Sequence, residues 1–351
     1  MESNQSEPTI VLGVDTHKDT HTVTALDLLG KHLSTATFST DSKGYTALLA
    51  WALEFGFIDK CGIEGTSSYG AGLTRFLRKN DIKVVEVCRP NRQLRRRKGK
   101  SDPVDSESAA RTVLAGDELG APKSQDGGVE MIRLFKIQRK SAIKARTQAG
   151  NQIHAIISTA PDELRATLRN TSLKQLIPRL KALRPGSLEN VSATVKYALK
   201  GLAKRWGALQ DEIKALDKLL TKAVQSIAPK LAELHGVGTE VASTLLIAAG
   251  DNPERLKNES SFAALCGVSP LDASSGKQSR HRLNRGGNRD ANRALWVIAF
   301  VRFRIDERTK EYTAKRMKQG RTKLEVIRCL KRYIAREVYK IIVKVPLETS
   351  S

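Results

Sequence analysis

Three short β-rich runs separated by turn-sized gaps open this chain, and two helix–strand units follow them. Ile10–Asp15, His21–Asp27 and His32–Ser39 are rich in Val, Ile, Leu and Thr and read as an antiparallel meander. Lys43–Gly56 comes next with helical spacing at Tyr45, Leu48, Leu49, Ala52 and Leu53. Cys61–Glu64 then reads as a short strand, Ala71–Lys79 as a helix and Lys83–Cys88 as another strand. Hairpin strands lie beside one another, and a strand entered through a helix joins the same sheet in parallel. This order reads as a mixed α/β sheet over the first ninety residues, in which the first and fourth strands would be neighbours.

Four carboxylates fall at telling places on this frame. Asp15 ends the first strand and Glu64 the fourth, so both belong at one edge of adjacent strands. Asp102 and Asp105, in Lys100-Ser-Asp-Pro-Val-Asp105, are three apart at the start of a helix and share one of its faces. Acids gathered in this way suit Mg²⁺, which takes hard oxygen ligands. Ions so held stabilise both oxygens of a phosphodiester displacement. Three hairpin strands, two crossover units and strand-end acids are together the order of a ribonuclease H-like domain.

The charge balance points to a polyanionic partner. Lys and Arg number 60 against 37 acids, a formal net charge of +23. An excess of that size favours nucleic acid, where each neutralised phosphate releases counterions. Cys61, Cys88, Cys266 and Cys329 are scattered, with no zinc or disulfide spacing. A reducing, cytoplasmic compartment is expected. The polar N-terminus has no signal-peptide pattern, and no apolar run is long enough to span a membrane.

Arg89–Lys100 is a basic run placed just before the last two acids. Its Arg92, Arg95, Arg96, Arg97, Lys98 and Lys100 are candidates to hold a nucleic-acid backbone. Residues 121–129 read as a linker, and helical periodicity dominates beyond it. Met131–Thr159 is a long basic helix. After a break at Arg184-Pro-Gly-Ser187, apolar residues recur at Leu202, Trp206, Leu209, Ile213, Leu216, Leu220, Ala223 and Ile227. This is a heptad seam, and it fits either a helical hairpin within one protomer or a coiled coil between protomers. His235-Gly-Val-Gly-Thr, between two helical patterns, has the form of a helix-hairpin-helix turn.

The second chemical constellation lies after Pro270. Ser274-Ser275-Gly276 is followed by Lys277, Arg280, Arg282, Arg285 and Arg289 in a glycine-punctuated loop. A serine hydroxyl attacking phosphorus needs cations to bind the phosphate and stabilise the charge that develops. His281 is near in sequence, but no Ser-His-Asp pattern is present.

Taken in order, these motifs resemble the DEDD-type, RuvC-like transposases of insertion-sequence family one-ten, bridge-RNA-guided serine recombinases. The resemblance rests on Gly-Val-Asp15, Ile-Glu64-Gly-Thr and Lys-Ser-Asp102-Pro-Val-Asp105-Ser in the first half. In the second half it rests on His235-Gly-Val-Gly-Thr, Phe262-Ala-Ala-Leu-Cys-Gly-Val-Ser-Pro270, Ser275-Gly276 and Asn284-Arg-Gly-Gly-Asn-Arg-Asp-Ala-Asn-Arg-Ala-Leu295. It implies a RuvC-like metal domain over residues 9–120, a helical or coiled-coil segment over 130–230, and a mostly helical C-terminal transposase domain over 231–345. It also implies an acidic tetrad of Asp15, Glu64, Asp102 and Asp105 holding Mg²⁺, and Ser275 as nucleophile with Ser274 as the alternative. The expected partners are donor and target DNA, a structured noncoding bridge RNA, and further copies of the chain in a dimer or tetramer, with no membrane. Acids of one subunit would act with the serine of another, in the prokaryotic cytoplasm at the nucleoid. From the residues themselves two other readings stand beside the recombinase. One is a junction-resolving nuclease that uses water, and the other is a nucleic-acid-binding protein with an inactive RuvC-like fold.

Overall fold

The structure, a computed structural model, describes residues 8–87, 101–117, 120–275 and 281–344. The chain divides into two compact units, Met1–Asp126 with Ala249–Asn258 and Gly127–Ala248 with Glu259–Ser351.

The first unit is built on β1 (Thr9–Thr16), β2 (Thr20–Asp27), β3 (His32–Ser39), α1 (Ser42–Leu53), β4 (Phe57–Glu64), α2 (Ala71–Lys79), β5 (Val84–Val87) and α3 (Asp102–Leu114). The sheet order is β3-β2-β1-β4-β5. β1–β2 and β2–β3 are antiparallel, while β1–β4 and β4–β5 are parallel. This is the ribonuclease H-like order expected from the sequence. β4 starts at Phe57, four residues before the expected Cys61. The exposed Asp59 and half-buried Lys60 disguise the alternation there.

Period two along β1 sorts its side chains between two layers. Ile10, Leu12 and Val14 join Leu48, Ala52, Leu73 and Leu77 in a core beneath α1 and α2. Val11 packs on the opposite face with Val85, Val87, Ala109, Ala110 and Val113, beneath α3. Gly13 shares that second face. A Cβ built there would lie 2.1 Å from the Ala110 amide nitrogen and 2.2 Å from the Ser106 carbonyl oxygen. Gly62, the β4 residue paired with Gly13, would similarly meet Val113 at 2.4 Å. Two glycines side by side therefore let α3 lie directly on the sheet backbone. A buried hydrogen bond of 2.7 Å between the Thr24 and Ser106 hydroxyls fastens α3 to β2 as well.

A distant piece of chain completes this unit. Asn252 is buried; its amide donates to the Pro122 carbonyl at 2.9 Å, and its side-chain oxygen accepts from the Ser124 amide at 3.0 Å. Both partners lie in the stretch that reads from sequence as a plain linker.

The second unit is helical: α4 (Gly128–Thr159), α5 (Asp162–Leu168), α6 (Leu173–Lys181), α7 (Val191–Ile227), α8 (Pro229–Ala232), α9 (Thr239–Ala249), α10 (Glu259–Leu265), α11 (Arg289–Ile305), α12 (Glu307–Lys318) and α13 (Lys323–Ile342). α7 runs antiparallel to α4, and their polar edges join Gln138 to Glu212, Arg139 to Asp217 and Arg146 to Gln210. Ile213, Leu216 and Leu220 of the heptad are buried, and the seam packs on α4 as a hairpin within this chain. Leu202, Trp206, Leu209, Ala223 and Ile227 are half-buried. The short α5 and α6 close one end of the hairpin through Leu164, Leu168, Leu176, Ile177 and Leu180. Gly236, in the expected Gly-Val-Gly turn, has φ +83°, the left-handed backbone that glycine tolerates. A two-stranded hairpin, β6 (Leu271–Asp272) with β7 (His281–Arg282), carries the serine loop. No described helix is long and apolar enough to cross a membrane.

Candidate active site

The parallel register sets the first half of the acidic centre. Val14 pairs with Ile63, so Asp15 and Glu64 follow one another at the same end of β1 and β4. Asp15 shares a face with Val11 and Gly13, and Glu64 shares one with Gly62, which is the side covered by α3. The Thr16 hydroxyl donates to the Glu64 carbonyl at 2.8 Å and holds the two strand ends together.

α3 supplies the second half. Its cap residue Ser101 is extended, and Pro103 sits in the first turn, where its missing N–H is no loss. Asp102 and Asp105 occupy that same turn, where the helix dipole favours negative charge. Asp15 and Asp105 are buried, whereas the Asp102 side chain is half exposed.

His17 joins this centre, although the sequence reading passed over it. It lies two residues beyond Asp15 on the same side of the chain. Its Nε2 is 3.3 Å from both an Asp15 and an Asp102 carboxylate oxygen. One ligand atom from each of Asp15, His17 and Asp102 lies within 4.8 Å of the others. The Asp-x-His spacing at a strand end was the available signal.

Electrostatics tie the remaining acids to this group. Burial raises the Asp15 carboxyl above its ordinary value, His17 pulls it down, and Glu64, Asp105 and Asp102 each push it up. Carboxylates crowded around a buried acid fit a hard divalent cation, which relieves their repulsion. Asp15 has to shed its proton to act as a ligand, and its raised value means that it holds that proton to higher pH. Divalent-cation affinity should therefore rise as pH climbs from about 4 through the acidic range. Calorimetric titration at several pH values checks this, and an affinity flat with pH would contradict it.

The close seat of α3 is equally testable. Gly13→Ala should destabilise the first unit by roughly 1–3 kcal/mol, because backbone rather than a pliable side chain blocks the added methyl. It should also weaken cation binding by displacing Asp102 and Asp105. Thermal melting and cation titration of the variant read both effects, and unchanged values in both would refute the packing argument.

The serine loop belongs to the second unit. Asp272 accepts from both the hydroxyl and the amide of Ser274, the amide at 2.8 Å. These bonds, the hydroxyl one foremost, hold the Asp272 carboxyl below its ordinary value. Asp272 also pairs with His281 across the hairpin. Ser274 is thus engaged by its neighbour, while Ser275 is exposed. Arg282 sits on β7, and Arg285 and Arg289 line a cavity beside it in sequence. The remaining candidates, Arg92, Arg95, Arg96, Arg97, Lys98, Lys100, Lys277 and Arg280, lie outside the described residues.

Comparison with known proteins identifies both halves. Residues 12–160 match the family model for the DEDD transposase of IS110, described as a transposase. Residues 228–314 match a second model, described as the transposase IS116/IS110/IS902 family. The chain is also similar to an uncharacterized 43.6 kDa protein of insertion element IS110 from Streptomyces coelicolor. The two are 26% identical over 139 residues, which is 39% of this chain and 34% of that protein. The chain thus spans about a third of the length of this curated relative. The first model covers the strands and helix that carry all four acids, and the second covers the serine loop. With a model of the same family on each half, the chain belongs to the IS110 family of transposases.

Proposed function

We propose that this chain is a DNA transposase that cuts and rejoins strands through a serine-linked intermediate, guided by a structured noncoding RNA. The observation that carries the reading is the acidic centre, where Asp15, His17 and Asp102 bring ligand atoms within 4.8 Å of one another and Glu64 and Asp105 also act on the buried Asp15, in a chain whose Ser275 is exposed.

In this reading the four acids hold Mg²⁺. When bound, the cation supplies a positive centre that offsets charge on the phosphate oxygens. His17 keeps Asp15 and Asp102 together through its contact with both. Ser275 supplies the attacking oxygen. Its Oγ forms a bond to phosphorus as one phosphorus–oxygen bond of the DNA backbone breaks. The hydroxyl proton passes through solvent to the departing oxygen, so that strand leaves with a free hydroxyl. Reversal of this step, with a hydroxyl from another strand, rejoins the DNA and frees the serine. Asp272 acts as a positioning residue, because its grip on Ser274 fixes the turn from which Ser275 projects. Arg282, Arg285 and Arg289 offset negative charge developing on the phosphate. The run Arg92–Lys100 and the long helix α4 hold nucleic-acid backbone. Donor and target DNA and a bridge RNA are the partners, and the chain works as a dimer or tetramer.

The test is a denaturing gel of the protein incubated with labelled element-end DNA and the RNA that copurifies with it. A labelled band at protein mass supports the serine-linked reading. Free nicks without such a band would support a RuvC-like nuclease that uses water.

A further inference from the structure

A cavity of about 420 Å³ in the second unit lies against the loop that follows β7. Pockets of roughly 300–1,000 Å³ house small ligands. Arg285 of that loop and Arg289 at the start of α11 line it, and Arg328 and Lys331 of α13 line it as well. No acidic residue lines it among the described residues. Lys331 is buried, and its ammonium donates to the Asn292 side-chain oxygen at 2.7 Å. Burial and the nearby Arg328 both lower the Lys331 value. Four cations around one cavity repel one another, and an anion there relieves that cost.

The rest of the lining calls for more than an anion. Leu283, Leu324 and Ile327 give the cavity an apolar side, and Trp296 lines it while remaining 41% exposed. Phe300 stacks against Trp296 with ring centres 5.0 Å apart and an interplanar angle of 12°, which fixes the indole plane. A flat apolar platform beside clustered guanidinium groups suits a ligand with an aromatic ring on one end and a phosphate on the other. The amides nearby are largely committed elsewhere. Asn292 donates to the Cys266 and Gly267 carbonyls, and the Asn284 oxygen accepts from the Gly286 amide. Little remains to read the edge of a base, so recognition should be tolerant of sequence.

We propose that this cavity binds an unpaired nucleotide of a DNA strand, with the base on Trp296 and the phosphate among Arg285, Arg289, Arg328 and Lys331. A base reaches the indole only when it is out of a duplex stack, so the site selects single-stranded over double-stranded DNA. The choice of DNA rests on the reading of the chain as a DNA transposase. The cavity chemistry does not depend on Ser275 being the nucleophile.

Fluorescence anisotropy of the full-length chain with a labelled single-stranded dT 12-mer, a hairpin duplex and a U 12-mer tests this. Trp296→Ala should weaken dT binding roughly 10-fold and leave hairpin binding within about twofold. Arg328→Ala should weaken dT binding and flatten its dependence on salt. Titrating dT should quench tryptophan fluorescence in the wild type, and Trp296→Phe, which keeps the aromatic packing on Phe300, should abolish most of that quench. Equal losses on dT and hairpin, or no loss on dT with Trp296→Ala, would overturn the site. A loss confined to the U 12-mer would overturn the assignment to DNA. A protein that binds dT through Trp296 yet forms no covalent adduct would retain this site while refuting the serine-linked reading.

Discussion

Asp15→Asn is expected to reduce strand cleavage on the order of 10³-fold while leaving the fold and RNA binding intact. The reason is the place of Asp15 in the acidic centre. It is buried, it contacts His17, and Glu64, Asp102 and Asp105 all act on it. Asparagine keeps the shape but removes a charge, and with it a ligand of the proposed cation. Loss of several kcal/mol of charge stabilisation at the transition state corresponds to a drop of this size. Asp102→Asn should cost less, because that side chain is half exposed and water can take its place. His17→Ala should preserve more activity than either, since a positioning contact is lost and the acids remain. Single-turnover cleavage of labelled DNA across a Mg²⁺ titration measures the series. Wild-type cleavage by Asp15→Asn in Mg²⁺ would remove the acidic centre from the reaction.

Ser275→Ala is expected to abolish the covalent intermediate and recombination altogether, because no other atom of that side chain can bond to phosphorus. DNA and RNA binding should persist, since the flanking arginines are untouched. Ser274→Ala should keep part of the activity. Its hydroxyl is engaged by Asp272, so its loss loosens the turn without removing the attacking oxygen. Asp272→Ala should resemble Ser274→Ala, and restored activity in Asp272→Asn would mark Asp272 as a positioning residue. An adduct that survives in Ser275→Ala and vanishes in Ser274→Ala would move the nucleophile by one residue.

Much of the acidic centre was legible because local rules fix it. Strand period and crossover order placed Asp15 beside Glu64, and the three-residue spacing of Asp102 and Asp105 put both on one face of a helix start. The role of Gly13 and Gly62 was hidden, because close approach of a helix shows only once its partner strands are known. His17 was missed because the Asp-x-His spacing is a weak signal by itself, and it acquires meaning only when Asp102 arrives on α3. The heptad of α7 was legible as a seam, yet periodicity does not say which helix fills it, and here α4 packs against it. The β6–β7 hairpin has two residues per strand, too few for alternation to register. The return of Asn252 to Pro122 and Ser124 joins residues about 130 apart, beyond any local signal. The cavity under Trp296 likewise joins a loop to α11 and α13.

The central claim is that Ser275 becomes bonded to DNA, and mass spectrometry of the trapped complex tests it most directly. After incubation with labelled element-end DNA, nuclease trimming and proteolysis, the proposal expects a nucleotide adduct on the peptide that contains Ser275, with fragment ions placing it on that residue. Cleaved DNA with that peptide unmodified would contradict it.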